Sequence, residues 1–196
     1  MAIKNVIFDL GKVLIDYDFD IFFGEIGYKP EERNLDEGLD PILDFESGKI
    51  SKIEFLEQMK DVYNFSLSLE KFEIIWAEVF SEMENMLALA RKVSENYKVF
   101  IFSNTDEIHF PYIWEKFPKL HFFNENLMLS YELNSVKPDK EIYQNAIEKF
   151  SLVPEESIFI DDRPINIKVA QEFGFDGIIH RDLETTNLEL KKKLKI

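Results

Sequence analysis

The sequence predicts an α/β protein built on a doubly wound parallel sheet. The main observation is a set of three apolar runs that each end abruptly in polar residues: Val6–Phe8 before Asp9, Val99–Phe102 before Ser103 and Asn104, and Ile158–Ile160 before Asp161 and Asp162. Parallel strands covered by helices on both faces are continuously apolar rather than alternating. Helical segments separate these runs along the chain, and alternation of strands with helices is typical of such a sheet.

Residues 15–86 lie between the first and second runs and have a helical pattern throughout. Ser51 and Glu54 form a capping-box pattern that predicts a helix start, and apolar residues follow at helical spacing. Further helices are predicted to begin near Asp18, Asp40 and Ser68. No strand is predicted in this block. The chain is therefore predicted to divide into a core of residues 1–14 and 87–196 and an inserted all-helical cap of residues 15–86.

The α/β pattern continues after the insertion. The predicted helices cover residues 85–96, 106–117, 140–150 and 165–173, with short strands at 127–130 and 177–179. Pro111 is compatible with the second of these helices only in its first turn or at a kink. The Lys191–Lys193 run is interpreted as a solvated surface.

Composition and charge restrict the possible partners. The net charge of −15 disfavours nucleic acid and anionic membranes, because both are bound through lysine and arginine. The chain has no cysteine, which excludes disulfides and thiolate metal sites and fits a cytoplasmic location. No apolar run approaches the roughly 20 residues of a membrane span, and the first strand begins too early for a secretory signal segment.

The polar strand ends predict an anion-binding metal site. Carboxyl ends of adjacent parallel strands meet at one edge of the sheet, where ligands bind. Asp9, Asp161 and Asp162 offer only oxygen ligands, without a nearby histidine or cysteine, and this chemistry suits Mg²⁺. Lys137, in a loop before a helix, and the Ser103 hydroxyl suit a phosphate. A carboxylate such as Asp9 can attack phosphorus without first losing a proton.

Four ordered motifs resemble those of the haloacid dehalogenase-like (HAD) superfamily, whose core is a Rossmann-like sheet. They are Phe8-Asp9-Leu10-Gly11-Lys12-Val13-Leu14, Phe102-Ser103-Asn104, Val136-Lys137-Pro138-Asp139 and Phe159-Ile160-Asp161-Asp162. The resemblance implies that Asp9 is the nucleophile and that Ser103 binds the phosphoryl group, with the Asn104 backbone or amide helping. It implies that Lys137 neutralises the charge of the phosphate and of the nucleophile. It also implies Mg²⁺ ligation by Asp9, Asp162 with Asp161 beside it, and the carbonyl of Gly11. Asn166 falls where relatives support the water shell of the metal.

One position departs from the common phosphatase pattern. Most phosphatases of the superfamily carry a second aspartate two residues after the nucleophile, and this chain has Gly11 there. General acid–base help is typically worth about 10²–10⁴-fold in rate. The sequence is similar to a bacterial sugar-phosphate branch, including glucose-1-phosphate phosphatases, that also has glycine at this position. A sugar 1-phosphate has a better leaving group than a simple alkyl phosphate and tolerates the loss more easily.

The predicted function is therefore Mg²⁺-dependent hydrolysis of a small phosphorylated metabolite, with a sugar phosphate favoured, through an aspartyl-phosphate. The alternatives are a metal-independent 2-haloacid dehalogenase and a catalytically weak binding or regulatory module. Paired acids at Asp161 and Asp162 favour the metal-dependent reaction. Lys12 either reaches substrate or points outward, Arg163 either contacts phosphate or pairs with surface acids, and His109 either transfers the missing proton or is packed.

Overall fold

A computed structural model of the protein describes residues 2–27 and 39–194. Its central sheet has the order β5-β4-β1-β6-β7, and every neighbouring pair in it is parallel. These strands are β1 (Asn5–Phe8), β4 (Lys98–Ser103), β5 (Leu127–Leu129), β6 (Ser157–Asp161) and β7 (Asp176–Ile179). The prediction of a doubly wound parallel α/β sheet is confirmed.

Helices cover both faces of this sheet. One face packs against α5 (Glu84–Val93), α6 (His109–Lys116) and α10 (Leu183–Leu194). The other face packs against α8 (Lys140–Phe150) and α9 (Pro164–Glu172), with the short α7 (Ser130–Leu133) at its end. Within β1, Val6 and Phe8 belong to the first apolar cluster and Ile7 to the second, as the two-residue strand period requires. The continuous apolar run in the sequence therefore reflects burial on both faces.

The inserted residues form their own apolar cluster. It is built from α1 (Phe19–Glu25), α2 (Leu39–Glu46), α3 (Lys52–Tyr63) and α4 (Leu69–Ala77), with Phe22 and Trp76 among its buried aromatic side chains. Ser51 and Glu54 form the predicted capping box at the start of α3. Ile108, from the loop before α6, is the buried member of this cluster that comes from beyond residue 86, and it joins the helices to the sheet domain.

The prediction that residues 15–86 contain only helices is wrong at both ends of that block. Strand β2 (Ile15–Tyr17) pairs antiparallel with β3 (Phe80–Glu82), so the two connections to the inserted helices form a short ribbon. Each strand has three residues, which is too few for an alternating pattern to be recognised. The ribbon continues directly from the turn after Asp9 and carries Tyr17 to the sheet edge.

The carboxyl-terminal segment also differs from the expectation. Residues 183–194 form α10, which was not predicted, and Leu190 and Leu194 are buried against the sheet domain. Lys193 in the lysine run pairs with Asp176 at 2.6 Å rather than being wholly solvated. Across the described part of the chain, none of the helices has the length and apolar character that a membrane crossing requires.

Candidate active site

The three predicted strand ends lie side by side at one edge of the sheet. Strand β1 lies between β4 and β6, so Asp9 follows the middle strand while Ser103 and Asp161 end its two neighbours. Asp9 is buried, and its backbone N–H donates to the carbonyl of Ile160 at 2.8 Å. Its Oδ1 accepts from the backbone N–H of Leu10 at 2.7 Å. The carboxylate is therefore held in place by the turn that it begins.

Lys137 is fully enclosed and lies between the carboxylates. Its Nζ is 2.9 Å from Asp9 Oδ1 and 2.8 Å from Asp161 Oδ2, and it donates to the carbonyl of Phe102 at 2.8 Å. Burial alone lowers the pKa of Lys137, but Asp9 and Asp161 outweigh burial and leave that pKa raised. The Lys137 Nζ is therefore held directly against the Asp9 carboxylate.

Asn104 positions Lys137. Its Oδ1 accepts from the backbone N–H of Lys137 at 2.7 Å, and its Nδ2 donates to the carbonyl of the same residue at 2.9 Å. The Asn104 amide is thus occupied by the lysine loop. The Ser103 hydroxyl is buried at the same edge and donates to the carbonyl of Asn104 at 3.0 Å. The nearby loop is fixed by Ser130, whose hydroxyl exchanges two hydrogen bonds with the backbone of Thr105.

Asp9, Asp161 and Asp162 each offer a carboxylate oxygen within 4.8 Å of the others. Burial raises the pKa of Asp9 to about 7 against the opposing effect of Lys137, and burial together with Asp161 raises the pKa of Asp162. Among the described residues, the buried Oδ1 of Asn166 has no hydrogen-bond partner, while its Nδ2 donates to both oxygens of Asp161. Crowded carboxylates beside an unpaired amide oxygen fit a hydrated Mg²⁺ ion.

The space beside Gly11 is filled by an aromatic ring. A Cβ at Gly11 would lie 3.0 Å from Cε1 of Tyr17, the last residue of β2. The Tyr17 phenol lies among Asp162, Asp9 and Glu46, and burial followed by these carboxylates raises its pKa. A side chain at position 11 would therefore press on the Tyr17 ring, which would have to shift by a few tenths of an ångström to admit an aspartate there.

Comparisons with known proteins agree with this geometry. The sequence matches the haloacid dehalogenase-like hydrolase family over residues 3–174. The chain belongs to this family. A curated relative of this HAD-like hydrolase, the D-ribitol-5-phosphate phosphatase of Bacteroides thetaiotaomicron, is 31% identical over 189 residues, which are 89% of this chain and 90% of the relative.

Solved structures resemble this HAD-like hydrolase closely. A HAD family enzyme from Bacteroides thetaiotaomicron, in complex with magnesium and inorganic phosphate, has a TM-score of 0.81 and 32% identity, covering 92% of this chain and 95% of its own. A predicted HAD-like family hydrolase from Porphyromonas gingivalis also has a TM-score of 0.81, with 25% identity and full coverage of both chains. The predicted family and enzyme class, a HAD-like hydrolase of the phosphatase type, are confirmed, and Mg²⁺ fits as its cofactor.

His109 is a packed residue in this hydrolase. Its Nδ1 is 2.8 Å from Asp106 Oδ2, its Nε2 is 2.9 Å from the carbonyl of Trp76, and its ring stacks on the Trp76 indole. Asp106 also accepts from the backbone N–H groups of Ile108 and His109 at the start of α6. With both ring nitrogens occupied, His109 joins the inserted helices to the sheet domain.

Two further candidates are surface groups. Lys12 pairs with Asp16 and donates to the carbonyl of Tyr17 at 2.8 Å, so its ammonium belongs to the β2 ribbon. Arg163 is exposed, and its backbone N–H donates to Asp161 Oδ1 at 2.8 Å. Its guanidinium makes no ion pair within residues 2–27 and 39–194. Tyr17, whose ring packs beside Gly11, had no sequence signal because it stands in no motif.

The buried pair of His109 and Asp106 predicts that the stability of the protein depends on pH. Burial alone lowers the pKa of His109, but Asp106 outweighs burial and raises it. Stability from a raised pKa is complete below the unfolded value, about 6.5 for histidine, and is lost as the pH rises through the folded value. Urea unfolding between pH 6 and 9 should therefore show a steeper fall for the native chain than for His109→Gln.

The contribution of His109 is the difference between the slopes of unfolding free energy against pH for the native chain and for His109→Gln. Asp9 and Glu46 also have raised pKa values, but they contribute to both slopes with the same sign. His121→Gln is the matched control, since His121 is exposed in the 3₁₀ segment Pro118–Phe123. Equal slopes for the native chain and His109→Gln would show that ionisation of His109 beside Asp106 does not affect stability in this pH range.

Proposed function

We propose that this enzyme hydrolyses a small sugar or polyol phosphate in a Mg²⁺-dependent reaction that proceeds through an aspartyl-phosphate on Asp9. The observation that carries this proposal is the placement of Asp9. It is a buried carboxylate at the end of the central strand, 2.9 Å from the Lys137 ammonium and within an oxygen-only acidic cluster. Lys137 places a cation beside Asp9, and the acidic cluster offers ligands for a metal ion. Together they suit an anionic substrate that binds metal better than a neutral substrate.

Each site residue has a proposed role. Asp9, Asp162 and the carbonyl of Gly11 would hold Mg²⁺, with Asp161 in the same cluster and Asn166 Oδ1 available to its water shell. Bound Mg²⁺ would neutralise phosphate charge and orient the phosphoryl group. Ser103 and the backbone of Asn104 would bind the phosphoryl oxygens, because the Asn104 amide is already committed to Lys137. Asp161 and Asn104 would position Lys137.

The reaction would take two steps. The Asp9 carboxylate attacks phosphorus, the bond to the leaving oxygen breaks, and Lys137 stabilises the negative charge on the phosphoryl oxygens. Water then attacks the aspartyl-phosphate and releases inorganic phosphate and free Asp9. The inserted residues 15–86 would act as the cap over this edge, excluding bulk water and selecting the leaving group.

The proposed substrate class is supported by the site and by the relative that is a D-ribitol-5-phosphate phosphatase. A screen should measure phosphate release from ribitol 5-phosphate, glucose 1-phosphate and other sugar phosphates, with Mg²⁺ and with excess chelator. The expected result is Mg²⁺-dependent release from at least one of them and loss of that release on chelation. Halide release from 2-haloacids without metal would instead establish the dehalogenase alternative. No detectable turnover of any substrate would favour a binding module.

A further inference from the structure

The site lacks an evident group to protonate the leaving oxygen. Gly11 has no side chain, and the Tyr17 ring fills the adjoining space. The Lys137 ammonium already donates to Asp9, Asp161 and the carbonyl of Phe102. His109 is held by Asp106 and Trp76 through both ring nitrogens. A proton for an alkoxide leaving group must therefore come from another side chain that faces the site.

Glu46 is the last residue of α2, in the inserted helices. The turn that follows it rests on the sheet domain. Gly48 has φ +69°, and a Cβ there would lie 2.6 Å from the carbonyl oxygen of Tyr131, so only glycine permits this approach. A few residues later, the backbone N–H of Lys52 donates to Glu107 Oε1 at 2.9 Å. Both sides of the turn are thus fixed against the loops around the site.

The Glu46 carboxyl is partly buried and faces charged groups of the sheet domain. Burial and the Asp106 carboxylate raise its pKa to about 7, against the lowering effects of His109, Lys137 and Arg163. Its charge also contributes to the raised pKa of Tyr17, which packs beside Gly11. Within the described ranges it forms no hydrogen bond or ion pair. A carboxyl group that is free of partners and protonated near neutral pH is suited to donate a proton.

We propose that Glu46 is the general acid and base that replaces the aspartate missing at position 11, an inference that rests on the proposed function. As Asp9 attacks phosphorus, the phosphorus–oxygen bond to the alcohol breaks, its electron pair stays on the leaving oxygen, and that oxygen takes the Glu46 proton. The ionised Glu46 then takes a proton from water as the water oxygen attacks the aspartyl-phosphate. The bond to Asp9 breaks, and its electron pair returns to the Asp9 carboxylate.

The test compares two leaving groups in Glu46→Gln, which keeps the size of the side chain. One substrate is ribitol 5-phosphate, or the fastest alkyl phosphate of the screen if that one is not cleaved. The other is 4-nitrophenyl phosphate, whose phenolate leaves without protonation. Glu46→Gln should lower kcat/KM, which reports the step that expels the leaving group, by about 10²-fold or more for the alkyl phosphate and by less than about 10-fold for the aryl phosphate. Loss of the base that activates water should lower kcat for both substrates. Glu46→Asp should recover part of the alkyl activity.

Asp44→Asn is the matched control, because this carboxylate lies on the same helix, has a side chain that is 46% exposed and pairs with Lys49 at 3.4 Å. It should leave both activities unchanged. An equal loss of kcat/KM on both substrates, or no loss on either, would overturn the role of Glu46 as the acid. Failure of the proposed function would give a different result from failure of the Glu46 role. The native enzyme would then release no phosphate from either substrate, or Asp9→Asn would remain active.

Discussion

Asp9→Asn should reduce phosphate release by about 10⁴-fold or more, because the amide is uncharged and cannot displace the leaving group. The fold should survive the change. The amide oxygen of the new side chain would still accept from the backbone N–H of Leu10 and from Lys137, which contact Asp9 Oδ1 in the native protein at 2.7 and 2.9 Å. The measurement is steady-state release of inorganic phosphate at saturating Mg²⁺, with the unfolding midpoint recorded for the same preparation.

Asp16→Asn is the matched control. Asp16 is a surface carboxylate that follows the same turn and pairs with Lys12, so its loss should leave turnover near the native value. If Asp9→Asn kept a tenth or more of native turnover, the nucleophile would have to be assigned elsewhere. Asp9→Ala excludes slow conversion of the amide back to the acid as the source of any residual activity.

Lys137→Met should give the second large effect, with a loss of about 10²–10³-fold in kcat. Lys137 is the cation between Asp9 and Asp161, and its Nζ lies 2.9 and 2.8 Å from their carboxylate oxygens. Without it the phosphoryl oxygens lose a stabilising charge. Removing one partner of a buried ion pair also costs about 3–5 kcal/mol in the free energy of unfolding, because the remaining charge is left uncompensated.

Two measurements separate these consequences: kcat and KM for the fastest substrate, and urea unfolding of the variant. Lys140→Met is the control, since Lys140 lies in the helix that follows and forms an exposed pair with Glu172 at 2.7 Å. An exposed pair is worth at most about 1 kcal/mol, so this variant should resemble the native enzyme in both measurements. A Lys137→Met variant with native kcat would show that Lys137 has only a structural role.

The sheet and its polar edge could be predicted because local patterns determine them. Buried parallel strands are continuously apolar, so the ends of β1, β4 and β6 are visible as the points where Asp9, Ser103 and Asp161 begin the polar residues. That these three strands are neighbours is given by the observed order β4-β1-β6. The position of Lys137 was inferred from its motif, and the structure places its Nζ against two of the predicted carboxylates.

Features that depend on tertiary packing could not be predicted. The β2–β3 ribbon consists of three-residue strands whose pairing is decided by the chain that they connect. Glu46 stands in no motif, and its approach to the site depends on the contact between Gly48 and the Tyr131 carbonyl. Asn104 was expected to help bind phosphate through its backbone or its amide, and the hydrogen bonds that commit the amide to the Lys137 backbone leave the backbone option. Such contacts join residues far apart in sequence.

Direct chemical identification of the phosphorylated side chain tests the nucleophile most directly. The enzyme is mixed with its fastest substrate, quenched in acid during turnover and treated with borohydride, which reduces an aspartyl-phosphate to homoserine. Peptide mass spectrometry should find homoserine at position 9, and its amount should fall to background in Asp9→Ala. Homoserine at Asp161 or Asp162, or none at any aspartate while phosphate is being released, would contradict a covalent intermediate on Asp9.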